Sequence, residues 1–463
     1  MCGVGGVLMK RALEESDASA ARMAGLLARR LQHRGYEGVG MCVFGNGPQP
    51  SVHMRHDMGL VRDVLPPDVC SSMPGPVAVF QTRYSTSGKK NDSNPQRNLG
   101  PFFAETEIGP VALAHNGNLE GAEATREQLM KKGGILQSDT DSELALHEIV
   151  RAKGITFRER LHAGISNIPL AYSFVIGRPE GLYAVRDPSG VRPLFMGENE
   201  EAYLVASEDG AIRSVGGTVL GEVENGTITV LSSAGVSVFR FVPKTPKRLC
   251  LMEYAYFMRQ DTQGAYLARI AAGRLLARNY PVPSHSSAPV VVVGTPESGL
   301  IAAEGYACEA GLPQRIGLVR DNIELRAFMA PTDEERKITL ALKLAAIPDA
   351  VKDAVVINVD DSNVRGHTSH RIARLLYEAG AKEVHIRYAT PKIVAPCIRG
   401  LDYPTAEELF AHHYPTEAAM AAKFGVQSVA YLTIDESRLA YSEGTGQEDF
   451  CTECFGGKRL LIQ

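Results

Sequence analysis

Three groups of residues in this chain are of types and spacings that could do chemistry. The first is Cys2, which follows Met1 and precedes Gly3-Val4-Gly5-Gly6. A small second residue allows removal of the initiator Met, which would leave a thiol nucleophile and a free α-amine on one residue. That amine has a reference pKa of about 7.7–8.0, so it can act as a base near neutral pH. The second group is Asp360-Asp361, at the end of an apolar run and followed by Ser362-Asn363-Val364-Arg365-Gly366-His367-Thr368-Ser369. Two carboxylates placed there can accept hydrogen bonds from sugar hydroxyls. The turn N–H groups and the helix N-terminus that follow can hold a phosphate. The third is Cys451-Thr452-Glu453-Cys454. Alone, Cys-x-x-Cys is compatible with a redox pair, half of a zinc site, or no role. The redox reading needs a strand–helix setting near the start of a fold, which is missing, and zinc needs two further ligands.

Elements must position these groups. Residues 1–245 read as mixed α and β. Cys42–Phe44 and Val77–Gln81 are strand candidates, and Met23, Leu26, Leu27 and Leu31 recur at helical spacing. Ser138-Asp139-Thr140 can cap a second helix near Ser142–Ala152. Ala202–Ala206 and Thr227–Leu231 add β structure, which is consistent with an α+β layered domain. After Val242-Pro243-Lys244-Thr245-Pro246 the pattern changes to alternating strands and helices. Val290–Val293, Ala354–Val359 and Val384–Tyr388 are short continuous apolar strands, with a helix over Thr368–Gly380 between the last two. That is the pattern of a parallel sheet, α/β in class. The domain boundary is placed near 245, giving 1–245 and 246–463, with 403–463 as a helical tail and an irregular end.

The length of 463 residues suits two or three domains. Forty-nine Lys plus Arg against 53 Asp plus Glu leave a net charge of −4, which excludes a broad nucleic-acid surface. No apolar run reaches about 18 residues and no signal core opens the chain, so a cytoplasmic protein without a membrane partner is expected. Eight cysteines are too sparse here for a disulfide scaffold, so grouped cysteines point to metal or catalysis.

The residues around Cys2 carry a family pattern. His33-Arg34-Gly35, Gln81-Thr82-Arg83-Tyr84-Ser85-Thr86, Ala114-His115-Asn116-Gly117-Asn118, Ser138-Asp139-Thr140-Asp141, Arg186-Asp187-Pro188 and Val191-Arg192-Pro193-Leu194 occur in order. Together they resemble the class II glutamine amidotransferase domain, whose fold is the N-terminal-nucleophile αββα sandwich. The resemblance implies that Cys2 attacks the glutamine side-chain amide. It gives the oxyanion to Asn116 and the Gly117 N–H, the α-carboxylate to Arg83 and the α-ammonium to Asp139. The chain departs from the pattern at Tyr36-Glu37, at Gln81, where His is common, and at Asn94-Pro95-Gln96-Arg97.

Val355–Ser369 resembles the phosphoribosylpyrophosphate signature of type I phosphoribosyltransferases. The resemblance assigns Asp360 and Asp361 to the ribose hydroxyls and Arg365, Gly366, His367, Thr368 and Ser369 to the 5-phosphate. It places Glu297 and Ser298, in Gly294–Gly299, near the pyrophosphate. Mg²⁺ is implied, with Asp360 and Asp361 as candidate contacts beside substrate and water. A class II glutaminase followed by this domain is the layout of the glutamine phosphoribosylpyrophosphate amidotransferase family. Glutamine, phosphoribosylpyrophosphate and water would then give phosphoribosylamine, glutamate and pyrophosphate, with ammonia kept from bulk water on the way. The resemblance to the family's cluster-bearing branch assigns Cys250, Cys397, Cys451 and Cys454 to a 4Fe–4S cluster. It also implies nucleotide effectors and a homo-oligomer, by analogy a tetramer. Arg320–Phe328 departs from the family's mobile loop, so the alternatives are a divergent paralogue aminating another phosphosugar, or a non-catalytic ligand-binding regulator.

Overall fold

The computed structural model describes residues 1–11, 17–46, 50–85, 94–282, 287–320, 344–403 and 405–460. Thr86 and the loop residues Asp321–Phe328 fall outside the described residues. The chain divides into two compact units. The first holds Met1–Glu253 together with Cys397–Asp402 and the segment from Leu460; the second holds Tyr254–Pro396 and Tyr403–Arg459. The division therefore follows Glu253 rather than a point near 245, and two short late segments belong with the first unit.

Among its described residues, the first unit contains a seven-stranded and a six-stranded sheet. The seven strands run, edge to edge, Thr218–Glu222, Phe195–Glu198, Ala202–Ala206, Gly3–Met9, Val77–Arg83, Gly38–Phe44 and Val52–Met58. The six run Gly235–Arg240, Thr227–Ser232, Gly181–Arg186, Tyr172–Arg178, Val111–Gly117 and Phe102–Ala104. Neighbouring strands in both are antiparallel.

Alternation along the strands builds the layers. Val4, Leu8, Val77 and Val79 of the larger sheet pack against Ala112, Ala114, Val175 and Leu182 of the smaller one. Val7, Met9, Ala78 and Phe80 face the other way, onto Ala20, Ala24, Leu27 and Ala28 of the helix Ser19–Arg30. On the outer face of the smaller sheet, Val111, Leu113, Phe174 and Ile176 meet Ala145, Ile149, Leu161 and Ile165 of the helices Asp141–Val150 and Phe157–Ile165. Helix, sheet, sheet, helix is the αββα sandwich. The strand candidates Cys42–Phe44 and Val77–Gln81 are parts of longer strands, because every residue of both is buried.

The second unit is wound around a parallel sheet ordered Val290–Gly294, Val355–Asp360, Glu383–Tyr388 and Ser428–Tyr431. Its core joins Val291, Val293, Val356 and Ile386 to Ile372, Ala373 and Leu376 of the helix His367–Glu378. The strand Ser428–Tyr431 corrects the reading of 403–463 as a helical tail. It has only four residues and buries alternate positions, so it carries no long apolar run to announce it. No helix among the described residues is long and apolar enough to cross a membrane.

Candidate active sites

Cys2 stands at the mouth of the first strand and is 8% exposed. Its Sγ lies 3.7 Å from the Tyr84 carbonyl, which accepts from it. The next residue pairs with Thr82 across the sheet, and Thr82 Oγ1 accepts from Gly3 N at 3.0 Å. This register brings the nucleophile candidate to the end of the strand that carries Arg83. Met1 is buried, and burial pushes its ammonium pKa down to about 5.

Beneath Cys2 lies an ionic network. The fully buried Arg34 donates from Nε to the Cys2 carbonyl at 3.3 Å, from Nη1 to Glu208 at 2.6 Å, and from Nη2 to Glu253 at 2.9 and 3.0 Å. His33 lies 2.8 Å from the same Glu208 oxygen. Arg192 adds a 3.3 Å contact to Glu253 and donates to the Arg399 carbonyl at 3.0 Å. Burial opposes the Glu208 charge, but His33 and Arg34 outweigh it and hold the carboxyl well below its usual range. Sequence reading found His33-Arg34 as a motif and Glu253-Tyr254-Ala255-Tyr256-Phe257 as a match to the family, but not Glu208, nor that these groups meet, because they lie far apart along the chain.

The oxyanion candidates come from the facing sheet. Asn116 is fully buried in Val111–Gly117, and neither its Nδ2 nor its Oδ1 has a hydrogen-bond partner among the described residues. A buried unpaired amide is costly, so this group is either strained or kept for a ligand. Gly117 is required sterically: a Cβ there would lie 2.1 Å from the Ala171 carbonyl oxygen. Gln81, the departure from His, accepts from His115 N at 3.0 Å and so ties the two sheets together. His115 Nδ1 lies 3.0 Å from Ser142 Oγ, and burial lowers the imidazole pKa. Ser142 belongs to the helix capped by Thr140, whose side chain accepts from Glu143 N as the spacing predicts.

Both clamp candidates already have partners. Arg83 is buried, with Nη2 3.3 Å from Ser85 Oγ and Nε 3.9 Å from Glu37. Asp139 is ion-paired with Arg97, and its N–H donates to Asn98 at 2.9 Å. Glu37 and Arg97 fall in the stretches where the sequence leaves the family pattern.

In the second unit Asp360 ends the strand Val355–Asp360 and Asp361 follows it, both buried. Asp361 N donates to Asp360 Oδ1 at 2.9 Å. Ser298 and Ser362 hydroxyls donate to Asp361. Burial raises both carboxyl pKa values, and the charge of Asp361 raises Asp360 further. The Gly294–Gly299 turn packs closely on this strand end, because a Cβ at Gly299 would lie 3.0 Å from Asp360 Cα. Ser298 therefore joins the acids, while Glu297 is exposed. Gly366 caps the twelve-residue helix His367–Glu378 at φ 77°, and a Cβ there would meet the Phe410 ring at 2.4 Å. His367, Thr368 and Ser369 form the first turn of that helix.

Two of the expected phosphate ligands turn elsewhere. Arg365 Nε donates to Glu408 at 3.1 Å, and Ser369 Oγ accepts from Tyr388 at 2.6 Å. Their side chains are engaged, but the backbone of the turn is not thereby displaced. Glu408 and Tyr388 were not singled out from sequence. No group of three or more His, Cys, Asp or Glu among the described residues is arranged to hold a metal ion. A cation at Asp360 and Asp361 must therefore draw other ligands from substrate and water, as the carboxylate pair allows.

None of the eight cysteines is in a disulfide. In the first unit Cys250 is buried, and burial raises its thiol pKa to about 11. In the second unit Cys451 and Cys454 are both buried, and the Cys454 carbonyl accepts from Val394 and Ala395 at 2.9 and 3.0 Å. Sulfur is the donor type an iron–sulfur cluster takes, but no three of these cysteines form a described group placed to hold a metal ion. Cys42 and Cys70 are core residues, and Cys308 is exposed on the helix Leu300–Ala310.

Comparison with known proteins places this geometry. Residues 90–214 match the model of a glutamine amidotransferase domain. An amidophosphoribosyltransferase of Synechocystis sp. is 37% identical, over 99% of this chain and 90% of that protein. The amidophosphoribosyltransferase of Bacillus subtilis is 35% identical, over 92% of this chain and 89% of that protein. The solved glutamine phosphoribosylpyrophosphate amidotransferase of B. subtilis, complexed with ADP and GMP, superposes with a TM-score of 0.86 at 33% identity. That match covers 99% of this chain and 97% of the other. With a sandwich carrying Cys2, a parallel sheet ending in Asp360-Asp361, and relatives alike over nearly their whole length, the chain belongs to the amidophosphoribosyltransferase family.

Proposed function

We propose that this chain catalyses glutamine-dependent formation of 5-phosphoribosylamine from phosphoribosylpyrophosphate, releasing glutamate and pyrophosphate. The observation that carries the reading is its similarity to amidophosphoribosyltransferases over 99% of its length. Removal of Met1 frees the Cys2 α-amine, which takes the thiol proton as Sγ attacks the glutamine carboxamide. Asn116 Nδ2, unpartnered in the resting site, and the Gly117 N–H donate to the developing oxyanion. Arg83 binds the α-carboxylate and Asp139 the α-ammonium.

On the sugar side Asp360 and Asp361 accept from the ribose hydroxyls. Ser298 reaches Asp361, with Glu297 beside the pyrophosphate. The 5-phosphate sits on the backbone N–H groups of Arg365–Ser369 at the helix N-terminus, since the Arg365 and Ser369 side chains are engaged by Glu408 and Tyr388. Bound Mg²⁺ would neutralise charge on the pyrophosphate leaving group. Nucleotide effectors and assembly into a homo-oligomer fit the family, as does a cytoplasmic setting for free thiols. The test is mass spectrometry of the products from glutamine and phosphoribosylpyrophosphate. Phosphoribosylamine with matching glutamate and pyrophosphate is expected; glutamate alone would sink the reading.

Cys250, Cys397, Cys451 and Cys454 are the proposed ligands of a 4Fe–4S cluster. Three of the four are buried and none is in a disulfide, which suits ligation by sulfur shielded from solvent. Anaerobically purified protein is expected to be brown, with about four iron and four sulfide per chain. Stoichiometric zinc in their place would overturn the assignment.

A further inference from the structure

The glutamine clamp of the first unit carries its own charges. Resting on the proposal that Arg83 and Asp139 grip the amino-acid end of glutamine, we infer that Glu37 and Arg97 are internal counter-charges that occupy this clamp until glutamine displaces them. Glutamine presents a carboxylate to Arg83 and an ammonium to Asp139. The structure presents a carboxylate, Glu37, to Arg83 and a guanidinium, Arg97, to Asp139. Each resident group thus has the sign of the ligand group that binds at the same place.

The placement is built rather than incidental. Glu37 N donates to the Arg83 carbonyl at 3.2 Å, and a Cβ at neighbouring Gly35 would lie 2.6 Å from that same carbonyl oxygen. The Glu37 carboxylate also takes the Ser85 N–H at 3.0 Å and the Ser85 hydroxyl. Arg97 stands in the short turn Pro95–Asn98, whose last residue, buried Asn98, accepts from Asp139 N at 2.9 Å. Exposure separates the partners. The Glu37 and Arg97 side chains are 39% and 37% exposed, against 9% for Arg83 and 24% for Asp139. The counter-charges can therefore turn into solvent while the clamp residues stay.

Two consequences follow. Neither clamp charge is left without a partner when the site is empty. A ligand must carry both charges to release both residents, so the pair selects for a zwitterion. A ligand with the carboxylate alone displaces Glu37 but gains nothing at Asp139, where Arg97 remains. Arg97 and Glu37 are positioning residues here, not catalytic ones.

The test is glutaminase kinetics of the full-length protein carrying Arg97→Ala, Arg97→Lys or Glu37→Gln, with thermal melting to confirm folding. Exposed ion pairs are weak, so Arg97→Ala should lower KM for glutamine about two- to fivefold, with the change in KM rather than kcat. Arg97→Lys should fall between the wild type and Arg97→Ala, and Glu37→Gln should also lower KM. Inhibition by glutaramate, which is glutamine without its α-amine, should be unchanged in Arg97→Ala. A KM that is unchanged or raised in Arg97→Ala, or an equal gain for glutaramate, overturns the counter-charge inference alone. Absence of glutamine hydrolysis by the wild type overturns the glutaminase reading with it.

Discussion

Cys2→Ala is expected to lose glutamine hydrolysis by at least about a thousandfold, while free ammonium still supports phosphoribosylamine formation. The substitution removes the Sγ that lies 3.7 Å from the Tyr84 carbonyl and changes little else. The nearby Thr82 hydroxyl is engaged by Gly3 N and does not take its place. The methyl group of Ala fits the same apolar neighbourhood, so the melting temperature should barely move. Asn116 and Gly117 remain and keep some binding, but without covalent attack the oxyanion they serve does not form. Parallel assays with glutamine and with ammonium chloride check both halves. Unchanged glutamine turnover would refute the assignment of Cys2, whereas loss of both activities would point to a collapsed fold.

Arg34→Met should cost about 3–5 kcal/mol of stability, because it leaves two buried carboxylates without their main counter-ion. Arg34 reaches Glu208 at 2.6 Å and Glu253 at 2.9 Å, all three inaccessible to solvent. Glu208 keeps His33 and Glu253 keeps Arg192, so the loss should lie at the lower end of that range. The pH dependence has a definite sign. The Glu208 carboxyl is held far below its unfolded value of about 4.3, so its contribution is complete above that pH and is lost as pH falls below it. In Arg34→Met the Glu208 carboxylate is charged and less well paired at neutral pH, and protonation relieves it in acid. The deficit against the wild type should therefore be largest near pH 7 and shrink toward pH 4. Denaturant midpoints at the two pH values measure it, and an equal deficit at both would show that lost packing, not charge, is responsible. Because Arg34 also holds the Cys2 carbonyl, glutaminase activity should fall with stability.

Some of this protein is written locally. Met1-Cys2 shows a nucleophile candidate, and Thr140 announces a helix N-cap that the structure contains. The apolar run ending in Asp360-Asp361 shows a buried parallel strand. These features depend on covalent neighbours and on the two backbone periodicities, so position along the chain is enough to read them. The short strand Ser428–Tyr431 was not legible for the same reason: four residues hold too few periods, and only pairing with Glu383–Tyr388 defines it.

What the amino-acid sequence determined by itself was the kinds of chemistry available and the layers that would carry them. The partners were decided by tertiary structure alone. Arg34 meets Glu208 and Glu253 because Gly3–Met9 lies between Ala202–Ala206 and Val77–Arg83, and no local pattern encodes a contact 174 or 219 residues away. Among the described residues Asn116 is left unpaired because its strand is buried between layers, not because of the residue beside it. Arg97 and Glu37 appear in the sequence as departures, and only the folded chain sets them against Asp139 and Arg83. The physical reason is common to all of them. A charge or an amide takes its energy from whatever lies within a few ångströms of it, and in a sheet sandwich those neighbours are chosen by strand order rather than by position in the chain.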